Sequence, residues 1–352
     1  MKNIIPQKLR TGRRLRGLSM EELSVKMDRL VTRQAISKYE TGKMRPSDAV
    51  VHAIARALCL PLSYFYTQPV DVGDISFRID DSIPAQSVSQ MISLAHDKIE
   101  RYLRVEKILA IPQDFKNPLR GRVVRTFADV EQAAQRLRAR WELGTLSIFS
   151  VYEMLESFGI RILEFDCGVR HVVGFSTMVN KNIPLIVVNV AANFTTERKR
   201  FTALHELGHL LLHFDGDAGS DMQEKMCNHF AGALLCPAQV FTRELGNRRE
   251  RIALDELTSL KTRYGISVAA AVHRAKDLGV ISDRYYNYIF DNYIHKNKME
   301  EGWGGYPIDE HTDRFERLVK RIAAEKYITP EELDEILDDD SEFIVKEMTV
   351  LD

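Results

Sequence analysis

Between Leu9 and Leu58, apolar residues recur at helical spacing in short blocks. They are Leu9 and Leu15; Leu18, Leu23 and Met27; Ala35, Ile36 and Tyr39; and Ile54, Ala55 and Leu58. Helix-start and helix-stop residues separate the blocks. Gly17-Leu18-Ser19 precedes Glu21 and Glu22, Thr32 precedes Arg33, Gly42 follows Tyr39, and Pro46-Ser47 precedes the last block. Ser and Thr at such positions accept hydrogen bonds from the first free amides of a helix. The pattern predicts several helices of about 8–10 residues joined by tight turns, as in a helix-turn-helix module.

The pattern then changes. Residues 67–85, with Pro69, Gly73, Asp80, Asp81 and Pro84, read as a linker. A long amphipathic helix is expected over 87–111, with Met91, Ile92, Ala95, Ile99, Leu103 and Ile108 on one side. Residues 112–125 read as a loop rich in Lys and Arg, with a solvated surface. Residues 128–158 predict two helices feeding a strand from Ile160 to Phe165. The run Pro184 to Ala191 is short, apolar and β-branched, as in a buried strand. Thr195 and Thr196 can cap the helix that follows, whose apolar face holds Phe201, Leu204, Gly208, Leu211 and Leu212. Another helix is expected to open at Glu224 and end at Pro237. Tyr264-Gly265-Ile266-Ser267 marks a break between helices. A connection with Gly302, Gly304, Gly305 and Pro307 leads to two short helices around Thr329-Pro330, and an acidic tail starts at Asp338-Asp339-Asp340. The expected fold class is mainly α with a small β-sheet (α+β). Its expected parts are an all-α module over 1–66, a linker with a helix over 67–124, a larger domain over 125–295, and a helical segment with its tail over 296–352.

Charge adds a partner. Residues 1–66 hold 13 Lys and Arg against 5 Asp and Glu, a formal +8, and the rest holds 36 against 45, or −9. The overall net charge of −1 hides this division. A basic module fused to an acidic body points to a polyanion such as double-stranded DNA. The four cysteines, at positions 59, 167, 227 and 236, are scattered, and the sequence shows neither a signal peptide nor a long apolar span. The expectation is a soluble cytoplasmic protein with no membrane partner.

The candidate chemistry lies in His205-Glu206-Leu207-Gly208-His209. On a helix, residues four apart share a face, so His205 and His209 can offer nitrogen to one metal ion. Glu206 can reach a metal-activated water instead of the metal. This is the half-site of a zinc peptidase, expected to hold Zn2+. A catalytic zinc usually takes three protein ligands. His213 would lie about 12 Å along the axis from His205, too far to share the ion. Glu224 is the best third ligand on spacing, with Asp217, Asp221 and His229 as alternatives.

Arg200 to His209, followed by Glu224-x-x-Cys227-Asn228-x-Phe230-Ala231-x-x-Leu234-Leu235-x-Pro237, resembles the ImmA/IrrE family of zinc metallopeptidases. The resemblance covers about 125–295 and includes Gly174-Phe175-Ser176. It implies a zincin-like metallopeptidase domain with Glu224 as the third zinc ligand and Glu206 as the general base. Cys227 stands where that family usually has Ala; its side chain is either a small buried one or a thiol able to reach the metal. Residues 8–66, from Arg33-Gln34-Ala35-Ile36-Ser37-Lys38 to Leu60-Pro61-Leu62-Ser63-Tyr64-Phe65, resemble the Xre/Cro family of repressors. That resemblance implies that Thr32, Arg33, Gln34, Ser37 and Lys38 face the major groove, with Lys43 on phosphate and a homodimer on paired half-sites. Met20 stands where that family often has Gln, and the turn 28–32 is about two residues longer than its common form. Together the resemblances imply a DNA-binding regulator fused to a zinc endopeptidase. Its expected substrate is a repressor or antitoxin-like protein, cut to derepress a stress, phage or mobile-element operon. Two rivals are a repressor or antitoxin whose metal domain senses a signal or is catalytically idle, and a general peptidase localised by its basic module.

Overall fold

A computed structural model describes residues 6–66, 85–165, 173–190, 194–216 and 218–337. Residues 67–84 of the linker expected over 67–85, Cys167, Asp217 and the acidic tail from Asp338 lie outside the described residues, and Ala85 begins a helix instead. Fifteen helices and five short strands are present among the described residues, so the chain is mainly α with a small sheet. No described helix is long and apolar enough to cross a membrane. The described residues form two compact units, one of 6–66, 85–112 and 313–337, the other of 113–312.

The first unit opens with α1 (Pro6–Leu15), α2 (Met20–Lys26), α3 (Arg33–Glu40) and α4 (Asp48–Leu58), closed by a 3-10 turn at Leu62–Tyr66. Ser19 and Glu22 form a reciprocal capping box at the start of α2, and the Thr32 hydroxyl accepts from Ala35 N at 3.3 Å at the start of α3. Leu9, Leu23, Ile36, Ile54, Leu58 and Phe65 are fully buried in one small core. Arg13 donates twice to Glu40, at 2.6 and 2.8 Å, and once to Leu18 O at 2.6 Å, locking α1 to the end of α3. Both side chains are buried, so the fork-to-fork geometry has to satisfy nearly all their hydrogen-bonding capacity. The turn between α2 and α3 puts Asp28 and Arg29 in the left-handed region, at φ 52° and 56°. Arg29 N donates to Ser24 O at 2.9 Å, and the Ser24 hydroxyl to Val31 O at 2.6 Å, which fixes this turn.

The long helix α5 spans Ala85–Ile108. Met91, Ala95, Ile99 and Leu103 are buried, but so are Ser93, Asp97 and Glu106. Its polar side is covered because it faces other helices. Lys8 of α1 pairs with Glu100, and Arg314, from the C-terminal helix Arg314–Ala324, donates to Glu106 at 2.8 Å. The last described helix, Pro330–Ile336, sends Glu335 to Arg104 at 3.0 Å. Val105, Val319, Ile322 and Ile336 fill the core between them. The segment 296–352 is therefore divided, with its described helices in this unit and residues 296–312 in the other.

The second unit begins with β1 (Val123–Val124), α6 (Phe127–Arg140), α7 (Val151–Ser157) and β2 (Arg161–Phe165). Then come β3 (Gly174–Val179), β4 (Ile183–Asn189), α8 (Thr196–Leu211), β5 (His213–Phe214) and α9 (Ser220–Leu235). After these follow α10 (Ala238–Leu245), α11 (Leu254–Tyr264), α12 (Val268–Asp277) and α13 (Asp283–Ile289). The main sheet has the order β2-β4-β3, with β2 parallel and β3 antiparallel to β4. All seven β4 positions are buried, the apolar run Ile183 to Val188 and then Asn189. A second, two-residue parallel pairing joins β1 to β5. Gly174 lets α8 sit close on the sheet, since a Cβ there would lie 2.8 Å from Thr202 Cγ2.

Residues 296–312 strap this unit together through buried carboxylates. Glu300 accepts from Lys261 Nζ at 2.9 Å and from Val268 N and Ala269 N at 3.0 and 2.9 Å, capping α12. Glu310 is fully buried and caps α7 by accepting from Val151 N and Tyr152 N at 2.8 and 3.1 Å. It also pairs with Arg200 of α8, itself fully buried, stacked 4.1 Å from the Tyr306 ring and bonded to Ile148 O at 2.6 Å. Gly265, at φ +63°, leaves the space this guanidinium occupies; a Cβ there would lie 2.3 Å from Arg200 Nε.

Removing one partner of a buried pair leaves the other uncompensated, at a cost of about 3–5 kcal/mol. Glu310→Ala should lower stability by that order in denaturant unfolding, while exposed Arg243→Ala should change it little. A Glu310→Ala chain as stable as the parent would mean that the strap does not hold this unit.

Candidate metal centre and nucleic-acid interface

Helix α8 begins where Thr195 accepts from Arg198 N at 3.3 Å, and it runs unbroken through the HExxH stretch. That regular winding puts His205 and His209 on one face, with their Nε2 atoms 3.1 Å apart. Across from them lies α9, which starts at Ser220, so Glu224 sits in its second turn and does not open it. Glu224 Oε2 lies 3.2 Å from His205 Nε2, and Oε1 lies 3.3 Å from His209 Nε2. The ligand atoms of the three residues all lie within 4.8 Å of one another, an arrangement that could hold a metal ion. Two imidazole nitrogens and a carboxylate match the donor set of a three-ligand catalytic zinc site. All three side chains are partly exposed, so solvent reaches the group.

Glu206 points elsewhere and is 9% exposed. It accepts a hydrogen bond from the Ser176 hydroxyl on β3 at 2.8 Å. Burial raises its pKa; the nearby imidazoles and the Ser176 bond oppose that shift. Glu224 is held far below the usual carboxylate range by the hydrogen bonds from His205 and His209. On the other side of His205, Nδ1 donates to Asn228 Oδ1 at 2.9 Å.

The other candidate ligands among the described residues lie apart from this group. Leu212 leaves the helix with ψ 137°, which carries His213 onto β5, where it is exposed. Asp221 is exposed in the first turn of α9 and is not part of the group. His229 is buried with both nitrogens engaged, Nδ1 to Asp277 at 3.1 Å and Nε2 to Glu131 at 3.0 Å.

In the first unit, Thr32, Arg33, Gln34 and Lys38 are exposed and Ser37 is half-buried, while Ile36, Tyr39 and Glu40 face the core. Lys43 is exposed just beyond Gly42, whose φ of +71° turns the chain out of α3. The buried Arg13–Glu40 pair also brings Arg10 of α1, partly exposed, within 3.8 Å of Glu40. Sequence periodicity gave no sign of that neighbour.

Residues 9–65 match the family model described as helix-turn-helix, and residues 155–276 match the peptidase M78 model described as the IrrE N-terminal-like domain. The chain carries a helix-turn-helix domain followed by an IrrE-like, metallopeptidase-type domain. A Mycobacterium tuberculosis transcriptional regulator is a similar solved structure, at 16% identity and a TM-score of 0.29. The match covers 50% of this chain and 52% of that chain, so it spans about half the regulator's length. No curated protein matches the sequence.

Within the IrrE-like domain, Gly208 sets how closely α8 and α9 cross. A Cβ on Gly208 would lie 3.0 Å from Cys227 Sγ and 3.3 Å from Cys227 Cα. Cys227 is fully buried, and burial, reinforced by the Glu224 and Glu206 charges, pushes its thiol well above the ordinary range. Burial likewise pushes Cys236 up to about 12. Both behave as small core residues, and neither joins the ligand group.

A separate polar cluster ties α9 to α6 and α12. Glu131 bonds Arg274 at 2.8 and 3.2 Å as well as His229, and the Phe127 ring lies 5.3 Å from the imidazole. Burial would raise the Glu131 pKa, but the bonds from His229 and Arg274 outweigh it and hold it at about 2. Burial would lower the pKa of His229, and Arg274 acts the same way; the bonds to Asp277 and Glu131 outweigh both and raise it.

Two outcomes follow. Gly208→Val should lose tight zinc binding although it alters no ligand, whereas Cys227→Ala should retain it; equilibrium dialysis against zinc decides, and a Gly208→Val chain that binds like the parent would remove the crossing argument. The raised pKa of His229 means its stabilisation is complete below about pH 6.5. It fades as pH rises through the higher folded value. Denaturant midpoints should fall across that window in the parent and stay flatter in His229→Gln; parallel curves would contradict this.

Proposed function

We propose that the chain is a DNA-binding transcriptional regulator fused to a zinc-dependent endopeptidase. Its substrate on this reading is a repressor or antitoxin-like protein, cut in the cytoplasm to derepress a stress, phage or mobile-element operon. The observation that carries the peptidase reading is the convergence of His205, His209 and Glu224 beside a separately held Glu206. His205, His209 and Glu224 would hold zinc, which supplies a Lewis acid for the scissile carbonyl and an acidified water. Glu206 takes the proton from the attacking water and delivers it to the leaving amine. Burial raises its pKa, the direction needed by a group that both takes up and returns a proton. The Ser176 hydroxyl fixes one carboxylate oxygen and leaves the other to handle the proton.

The DNA reading rests on the exposed face of α3. Arg33 and Gln34 there can each make paired hydrogen bonds to a base edge, Arg to guanine and Gln to adenine. Lys43 beyond the helix suits a phosphate. Binding to paired half-sites would take a homodimer.

Purified chain should hold about one zinc, the stoichiometry of a single three-ligand site. His205→Ala should lose it, and Glu206→Gln should keep the zinc while losing cleavage of the neighbouring gene's repressor. Retained cleavage by Glu206→Gln would overturn the assignment of the base. For DNA, full-length protein should bind duplex from its own promoter with an affinity that falls steeply with salt. Arg33→Ala and Gln34→Ala should narrow the gap between operator and random duplex. Lys43→Ala should weaken both alike and reduce the salt slope by about one. Salt-independent binding, or none, would remove the regulator reading.

A further inference from the structure

His205 has two ring nitrogens, and the geometry gives each a different task. Its Nε2 faces Glu224 at 3.2 Å and His209 Nε2 at 3.1 Å, so this is the atom turned toward the ligand group. An imidazole that donates a lone pair from Nε2 must carry its proton on Nδ1. That proton needs an acceptor, and the atom facing it is Asn228 Oδ1 at 2.9 Å. Asn228 stands one helical turn beyond Glu224 on α9, so a single helix supplies both a carboxylate to the group and an amide to the back of the opposing imidazole. Among the described residues, no acceptor faces Nδ1 of His209. Among the described residues, the outer support of the centre is therefore the neutral amide behind His205.

We propose that Asn228 is a positioning residue that fixes the His205 tautomer and ring orientation through an uncharged acceptor, and so sets the metal affinity of the centre. This rests on the reading that His205, His209 and Glu224 hold a metal ion. The physical basis is that the acceptor behind a ligating imidazole orients it and raises its basicity, and that its loss costs about 10–100-fold in affinity. A carboxylate in that place would draw more strongly on the Nδ1 proton and add a negative charge close to the cation. An amide fixes the direction without that charge, which leaves the metal more exchangeable. The side chain is exposed, so the bond competes with water and the loss should lie near the lower end of that range.

The test is a zinc competition titration against a chromophoric chelator, using full-length protein in its parent, Asn228→Ala and Asn228→Asp forms. Each is checked by circular dichroism for retained helix. Asn228→Ala should weaken zinc binding about 10-fold, and Asn228→Asp should bind zinc more tightly than the parent. The opposite signs separate positioning from bulk damage, since a disrupted helix would weaken both. Affinities for Asn228→Ala within about twofold of the parent would overturn the proposal, because the expected loss is 10-fold or more. Weaker binding in both variants would overturn it too, by making the role structural. A parent chain with no zinc affinity would instead remove the metal-centre reading on which the proposal stands.

Discussion

The close crossing of α8 and α9 is the constraint on which the centre depends. Two histidines four apart on one helix make only half of a metal site; the third donor has to come from another element held at a fixed separation. Gly208 provides that separation by presenting bare backbone to Cys227, and Cys227 fills the space without exceeding it. Glu224 sits one turn before Cys227 and Asn228 directly after it, so the same contact aims a carboxylate at both Nε2 atoms and an amide at the Nδ1 of His205. Gly174 does the equivalent work on the sheet side. It lets α8 approach β3 closely enough for the Ser176 hydroxyl to reach Glu206. The HExxH helix is thus held through small residues on two faces, each contact placing one functional side chain.

Buried ionic groups fix the rest of this unit. Arg200–Glu310, Lys261–Glu300 and the cluster of Arg274, Glu131 and His229 each join elements far apart in sequence. Such pairs contribute little net stability over well-packed apolar residues, because both ions lose their water. What they impose is geometry, since each carboxylate also receives backbone amides or a second donor at a defined angle. Glu310 caps α7 while holding α8, so a displacement of either helix leaves a charge or an amide unpaired.

Much of this architecture was legible in the sequence wherever the signal is local. Ser19 with Glu22, Thr32 and Thr195 each announced a helix start, and the apolar, β-branched run from Pro184 announced β4. Helical spacing alone paired His205 with His209. What escaped depends on distant residues. Strand β3 alternates in burial but not in residue type, with Ser176 and Thr177 side by side and Met178 next to Val179, and it becomes recognisable only once β4 is in place beside it. Ser176 is 30 residues from Glu206, and Glu310 is 110 residues from Arg200. No periodicity encodes such distances. The start of α9 escaped for a different reason. Gly219 caps it without a side-chain hydrogen bond, so Ser220 and Asp221, residue types that often cap a helix from outside, stand inside its first turn. His229 looked available as a ligand until both its nitrogens were seen bonded to carboxylates.

The central claim is that one metal ion is held by His205, His209 and Glu224, with both buried thiols left out. Zinc K-edge X-ray absorption on full-length protein loaded with a single equivalent tests it most directly. The account predicts a shell of nitrogen and oxygen at about 2.0–2.2 Å, imidazole scattering from two histidines and no sulfur. A sulfur shell at about 2.3 Å would place Cys227 or Cys236 on the metal and contradict it.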